Sequence, residues 1–123
     1  MSPRSREDLE RALEGLASAR TLLAGGHWAT TVSTAYYAML YATRAALSER
    51  DLYSRTHSGP WGLFRKTFVE SGEFEAGLAS AAHNVQPRRE ASDYGAELFE
   101  EREATEILAL AERYVAAVEA MFA

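Results

Sequence analysis

Between Thr21 and Thr43 the chain carries no charged side chain, with Arg20 and Arg44 standing at either end. Such a run has two natural homes, a lipid bilayer or the inside of a protein. Thr and Tyr are frequent in it, and nowhere does the chain reach the ~18 consecutive apolar residues that a membrane span requires. Val32, Ala35, Met39, Ala42 and Ala46 recur at intervals of three and four, as the core face of a helix does. The spacing therefore predicts a helix over about residues 28–49, buried among other helices.

The same periodicity extends to nearly every other segment, and almost nothing reads as strand. Leu9, Leu13, Leu16 and Leu23 form an earlier stripe that Gly25-Gly26 stops. Ser5 and Asp8 have capping-box spacing, so this first helix is expected to begin after Ser5. Residues 50–56 read as a polar loop, followed by Ser58 as an N-cap and Pro60 in a first turn. A short third helix places Trp61, Phe64 and Phe68 toward the core and ends at Ser71-Gly72. A fourth is expected from near Glu73, with Leu78, Ala82 and Val85 inward, a kink or restart at Pro87, and an end at Gly95. The last runs over about residues 100–121 on Ile107, Ala111, Tyr114, Val118 and Met121, and acidic residues at its start suit the helix dipole. Helices of ~20 residues, each ~30 Å long, on short connections make antiparallel neighbours. The predicted fold is an all-α, up-and-down antiparallel bundle of four to five helices, one domain over residues 1–123.

Charge and missing residue types narrow the chemistry. Thirteen basic against eighteen acidic side chains give a net charge of −5, which argues against indiscriminate coating of nucleic acid. The basic excess is concentrated at Arg44, Arg50, Arg55, Arg65 and Lys66, while the chain beyond is strongly acidic. Cysteine is absent, so neither a disulfide framework nor a thiolate metal site is available. His27, His57 and His83 stand apart in sequence and form no metal-binding pair; neither a metal nor a cofactor is expected. No phosphate-binding or nucleophile-elbow motif occurs. The first residues lack an apolar signal core, which points to the cytoplasm.

Three constellations could carry function. Tyr37, Tyr41 and Arg44 share a face beside Tyr36, suited either to stacking a base and holding a phosphate or to a helix–helix or dimer contact. Arg88 and Arg89 follow Pro87, and Arg89 stands four residues before Asp93. That spacing fits a surface ion pair, or arginines presented to a phosphate. His57, near a helix entrance, fits a general base or a side chain bonded to the local backbone.

Taken in order, Ala35-Tyr36-Tyr37-Ala38-Met39, then His57-Ser58-Gly59, then Arg89-Glu90-Ala91-Ser92-Asp93-Tyr94 resemble the HEPN superfamily, in particular its small stand-alone bacterial and archaeal members. The resemblance spans roughly residues 8–120. It implies a bundle that dimerises and, in many members, a metal-independent endoribonuclease acting as a toxin beside a nucleotidyltransferase-type antitoxin. The usual family motif is Arg, four to six residues, then His. Here Arg88 and Arg89 are followed by Asp93 and Tyr94 with no histidine, while Arg50 and His57 have the required spacing in the loop before the third helix. On this resemblance His57 is the candidate base, Arg89 the electrostatic stabiliser and Asp93 its orienting partner. Arg88, Tyr94, Arg50 and Tyr37 are then candidate substrate contacts, with RNA as substrate and a homodimer as the active form. The other reading is a non-catalytic module that binds nucleotide, RNA or protein.

Overall fold

A computed structural model describes residues 1–56, 59–93 and 98–123, with Ser92 and Asp93 described through their backbone only. The first helix, α1 (Pro3–Ala24), starts earlier than the Ser5–Asp8 spacing suggested. Ser2 is its cap, its Oγ accepting from the Ser5 N–H at 3.1 Å. Pro3 occupies the first helical position, where a fixed φ helps and a missing N–H costs nothing. Ser5 is instead fully buried inside the first turn.

Gly26, at φ 80°, closes α1 in a Schellman motif. The His27 N–H donates to the Leu22 carbonyl at 3.0 Å, and the Gly26 N–H to Leu23 at 3.1 Å. The chain turns back directly into α2 (Trp28–Ser48). The end of α2 repeats the device with Asp51 at φ 55°, which lets the Leu52 N–H reach the Leu47 carbonyl at 3.0 Å. Asp tolerates this left-handed conformation better than most side chains.

Helices α1 and α2 pack along their lengths. Ala12, Leu16 and Ala19 form the buried stripe of α1, and Ala35, Ala38, Ala42 and Ala45 are buried on α2. The helices come so close that a Cβ added at Gly15 would lie 3.2 Å from the Ala38 Cβ. From Thr31 onward the uncharged run is thus mostly the inside of the bundle, while Ala24 to His27, Ala29 and Thr30 are exposed around the turn.

A third helix, α3 (Gly59–Phe64), continues through a π-helical turn over Arg65–Val69. It brings Trp61, Phe64 and Phe68 to the core, as the spacing predicted. Next come α4 (Ala76–His83) and α5 (Val85–Asp93), separated by Asn84 alone. The break falls at Asn84 and not at Pro87. Pro87 is therefore the third residue of α5, where its nitrogen has no intrahelical bond to lose.

The last helix, α6 (Glu101–Met121), is capped by Glu100 and Glu103 in a reciprocal capping box. It packs on both α1 and α2, so five rods make an all-helical bundle if α4 and α5 are taken as one bent rod. Tyr114 of α6 is fully buried among Trp61, Phe64 and Phe74, with ring centroids 5.4–5.9 Å away. Its hydroxyl lies 2.7 Å from Thr43 Oγ1. Thr43 donates to the Met39 carbonyl at 2.8 Å, so the proton between the two hydroxyls comes from Tyr114. No described helix is long and apolar enough to cross a membrane.

Candidate functional site

Tyr36 of α2 is the point where three elements meet. Its ring is buried, and its hydroxyl accepts from the Trp61 Nε1–H of α3 at 3.1 Å. Across from Trp61, the Arg89 guanidinium of α5 lies 5.1 Å from the Tyr36 centroid and 5.2 Å from that of Tyr37. The two tyrosines meet edge to face, with centroids 5.3 Å apart. Only 14% of the Arg89 side chain is exposed, and Glu90 Oε1 stands 3.8 Å from its Nη2. A guanidinium against two aromatic faces is held by their quadrupoles while keeping its N–H edges for other acceptors. Burial pushes the Tyr36 phenol above its usual pKa, against the opposing pulls of the Trp61 hydrogen bond and the Arg89 charge. Tyr36 therefore faces Arg89 as a neutral ring.

Trp61 carries a second stack on its other neighbour. The His83 ring lies parallel to it, with an interplanar angle of 9° and centroids 5.4 Å apart. Desolvation lowers the His83 pKa from 6.5, the Arg65 charge adds to this, and the Gln86 hydrogen bond opposes both. The unfolded chain then takes up this proton at a higher pH than the fold does, so stability falls as pH drops through the window just below 6.5. His83→Gln is expected to flatten that part of the profile. Urea midpoints from roughly pH 5 to 7 check it, and an unchanged slope would assign the effect to another group.

The residues selected from sequence are only partly assembled. Arg89 and Tyr37 are brought together. Arg88, one residue along α5 and so about 100° around it, turns the other way. It pairs with Glu103 of α6 at 2.7 Å and lies over the Phe99 ring at 5.4 Å. Arg50 is beyond the far end of α2, paired with Glu73 at 2.5 Å and covering Phe68. From Tyr36 to Ser48 alone α2 covers roughly 18 Å, so Arg50 and Arg89 do not share a site within one chain. His57 and Tyr94 lie outside the described residues, as does the Asp93 side chain.

The edges of the His57 segment are described, however. The Gly59 N–H donates to Thr56 Oγ1 at 2.9 Å, and a Cβ at Gly59 would come within 1.8 Å of Ser54 Oγ. The glycine is there because the turn closes onto its own hydroxyl side chains. Sequence reading missed Trp61 and Tyr36 as parts of the Arg89 setting. Their helical spacing marked them as core, and only the tertiary contact shows that this part of the core floors a site. No group of three acidic or histidine side chains that could hold a metal occurs among the described residues.

Comparison with known proteins places these features in context. The HEPN domain family matches residues 5–121. A protein of Gloeobacter violaceus named UPF0332 protein glr0978 is 32% identical over 95 residues, 77% of this chain and 75% of its own length. A UPF0332 protein of Thermotoga maritima is 31% identical over 89% of this chain and 83% of its own. The Methanocaldococcus jannaschii protein named "Putative toxin MJ0142" is 27% identical over 81% of this chain and 68% of its own.

Proposed function

The chain belongs to the HEPN domain family, and from that premise we propose that it is a toxin-type endoribonuclease that cleaves RNA without a metal ion. The observation that carries the reading is the Arg89 guanidinium, positioned in advance by the faces of Tyr36 and Tyr37. RNA cleavage of this kind begins when a base removes the 2′-hydroxyl proton. The 2′-oxygen then bonds to phosphorus, the bond to the 5′-oxygen breaks, and that oxygen leaves with a proton. The products are a 2′,3′-cyclic phosphate and a 5′-hydroxyl. Negative charge builds on the phosphorane oxygens, where a fixed cation acts most strongly.

In this scheme Arg89 stabilises the phosphorane and His57 is the base. Asp93 orients Arg89, and Tyr94 contacts the strand. A second copy of the chain completes the site, and a nucleotidyltransferase-type antitoxin is the partner that restrains it. One observation favours the other reading, a module that binds without cutting. Arg89 is largely covered, and Arg88 and Arg50 are engaged by Glu103 and Glu73.

Incubating the full chain with labelled single-stranded and structured RNA in EDTA separates the two. Wild type is expected to cut, leaving cyclic-phosphate ends. Arg89→Ala is expected to lose about 10²–10³-fold in rate, and His57→Ala to lose activity as well. RNA retained but uncut, with steep salt dependence, would replace cleavage by binding. Cutting unaffected by Arg89→Ala would remove the proposed site.

A further inference from the structure

The Arg89 seat is one arc of a closed loop of side chains, and the rest of that loop leads to the surface. On one side of Arg89 comes the Tyr36 ring, then the Trp61 indole that donates to the Tyr36 hydroxyl, then the His83 ring stacked on that indole. On the other side, Glu90 Oε1 stands 3.8 Å from Arg89 Nη2 and accepts from Gln86 Nε2 at 3.2 Å. Gln86 in turn is hydrogen-bonded to His83. That bond favours the charged imidazole, as one in which His83 donates and the Gln86 carbonyl oxygen accepts. The circuit therefore reaches Arg89 from His83 by two routes, one through rings and one through hydrogen bonds.

Burial is graded along it. Tyr36 and Trp61 are buried, while His83 is exposed. An exposed imidazole lying flat on a buried indole stands between that indole and the solvent. For this covering role alone any flat ring would serve at position 83. The bond to Gln86 is what an apolar ring would lack, and Gln86 is the residue that holds Glu90 beside Arg89.

The charged surroundings of His83 set the effect of a proton there. Arg65 of the π-helical turn is the cation that acts on it, and Glu90 lies beyond Gln86 on α5. Neither α3 nor the rest of α4 carries a titratable side chain. From α6 comes Tyr114, against the same indole and neutral. A proton on His83 thus sets a second cation beside Arg65, and desolvation opposes it as well. By linkage, protonation favours states in which the imidazole has left the indole. Both routes to Arg89 then open together.

We propose that His83 is a positioning residue for Arg89, a link that holds the guanidinium in its seat while neutral and releases it when protonated. Its bearing on the reaction rests on Arg89 as the cation of RNA cleavage, but the holding of Arg89 is measurable without cleavage.

Two measurements on the full chain test it. The first follows the Arg89 Nε–H by NMR. That nitrogen is shut off from solvent, which slows exchange of its proton, and the Tyr36 and Tyr37 rings shift its resonance. His83→Phe keeps a ring on Trp61 and removes the donor. Gln86→Leu breaks the hydrogen-bonded route and leaves His83 in place. Each is expected to move the resonance toward that of an exposed arginine, as is lowering the wild-type pH from about 7 to 5. The second measurement is RNA cleavage over the same range. At pH ~7 each variant should lose about tenfold in kcat with KM little changed, as displacement of a positioned group does. The gap between wild type and His83→Phe should close toward pH ~5, because wild type then releases Arg89 as well.

A resonance indifferent to pH and to both variants would overturn the proposal. So would a resonance that moves while kcat does not. A gap that stays constant with pH would leave His83 a purely structural cover and overturn the release. If wild type cuts no RNA, the cleavage reading falls, and the resonance alone decides whether His83 holds Arg89.

Discussion

Tyr114→Ala is expected to cost about 3–5 kcal/mol of folding stability, the range for emptying the space of a large buried aromatic side chain. For a chain of this size that is a fall of roughly 10–20 °C in melting temperature. Tyr114 sits where α6 meets α2 and α3, ringed by Trp61, Phe64 and Phe74. Tyr114→Phe isolates the hydroxyl. Thr43 keeps its bond to the Met39 carbonyl, so removing the phenol oxygen leaves no buried donor stranded, and the cost should be about 1 kcal/mol. Burial holds the Tyr114 phenol far above its ordinary pKa, so this bond stays protonated throughout any useful pH range. Urea unfolding of both variants measures the difference. Equal losses would show that the hydroxyl pair, and not the ring, governs this contact.

Trp61→Ala should be comparably damaging, again about 3–5 kcal/mol, but its consequences reach the Arg89 setting. The indole is the floor beneath Tyr36, the donor to the Tyr36 hydroxyl and the plate on which His83 stacks. Without it Tyr36 is free to tilt, and the two-ring seat of Arg89 loses one side. Trp61→Phe keeps most of the packing and removes the donor. The Tyr36 hydroxyl is then left buried with an unmet acceptor, a loss of about 1–3 kcal/mol. Stability measurements on both, with the His83 titration followed by NMR, form the check. A His83 pKa that stays depressed in Trp61→Ala would show that the stack is not what shields the imidazole.

Most of the bundle could be read from spacing because its information is local. The stripe through Val32, Ala35 and Met39, the Gly25-Gly26 stop and the inward Trp61, Phe64 and Phe68 each depend on neighbours within a turn or two. The errors were also local, decided by competing signals of similar strength. Pro3 at the first helical position outweighed the Ser5–Asp8 spacing. The α4–α5 break moved to Asn84, three residues before the proline that forces it. The site was harder to see. Adjacent places on a helix set Arg88 and Arg89 about 100° apart, but which neighbours each one meets, and that Arg50 is spent on Glu73, is decided by tertiary packing. Likewise His83 and Arg89 come from two helices, and only packing against Trp61 and Tyr36 closes the ring route between them.

The close approach of Gly15 and Ala38 has a further consequence, for how such a chain can change over time. Where two helices approach this closely, even one added methyl at Gly15 obliges the facing Ala38 to shift by a few tenths of an ångström. Variation on that side is restricted to the smallest residues. The opposite side, built from short segments around a π turn and an Asn84 break, can accept insertions and new side chains one turn at a time. The domain thus has one side where the helix contact leaves little room for change and another that can be altered piece by piece.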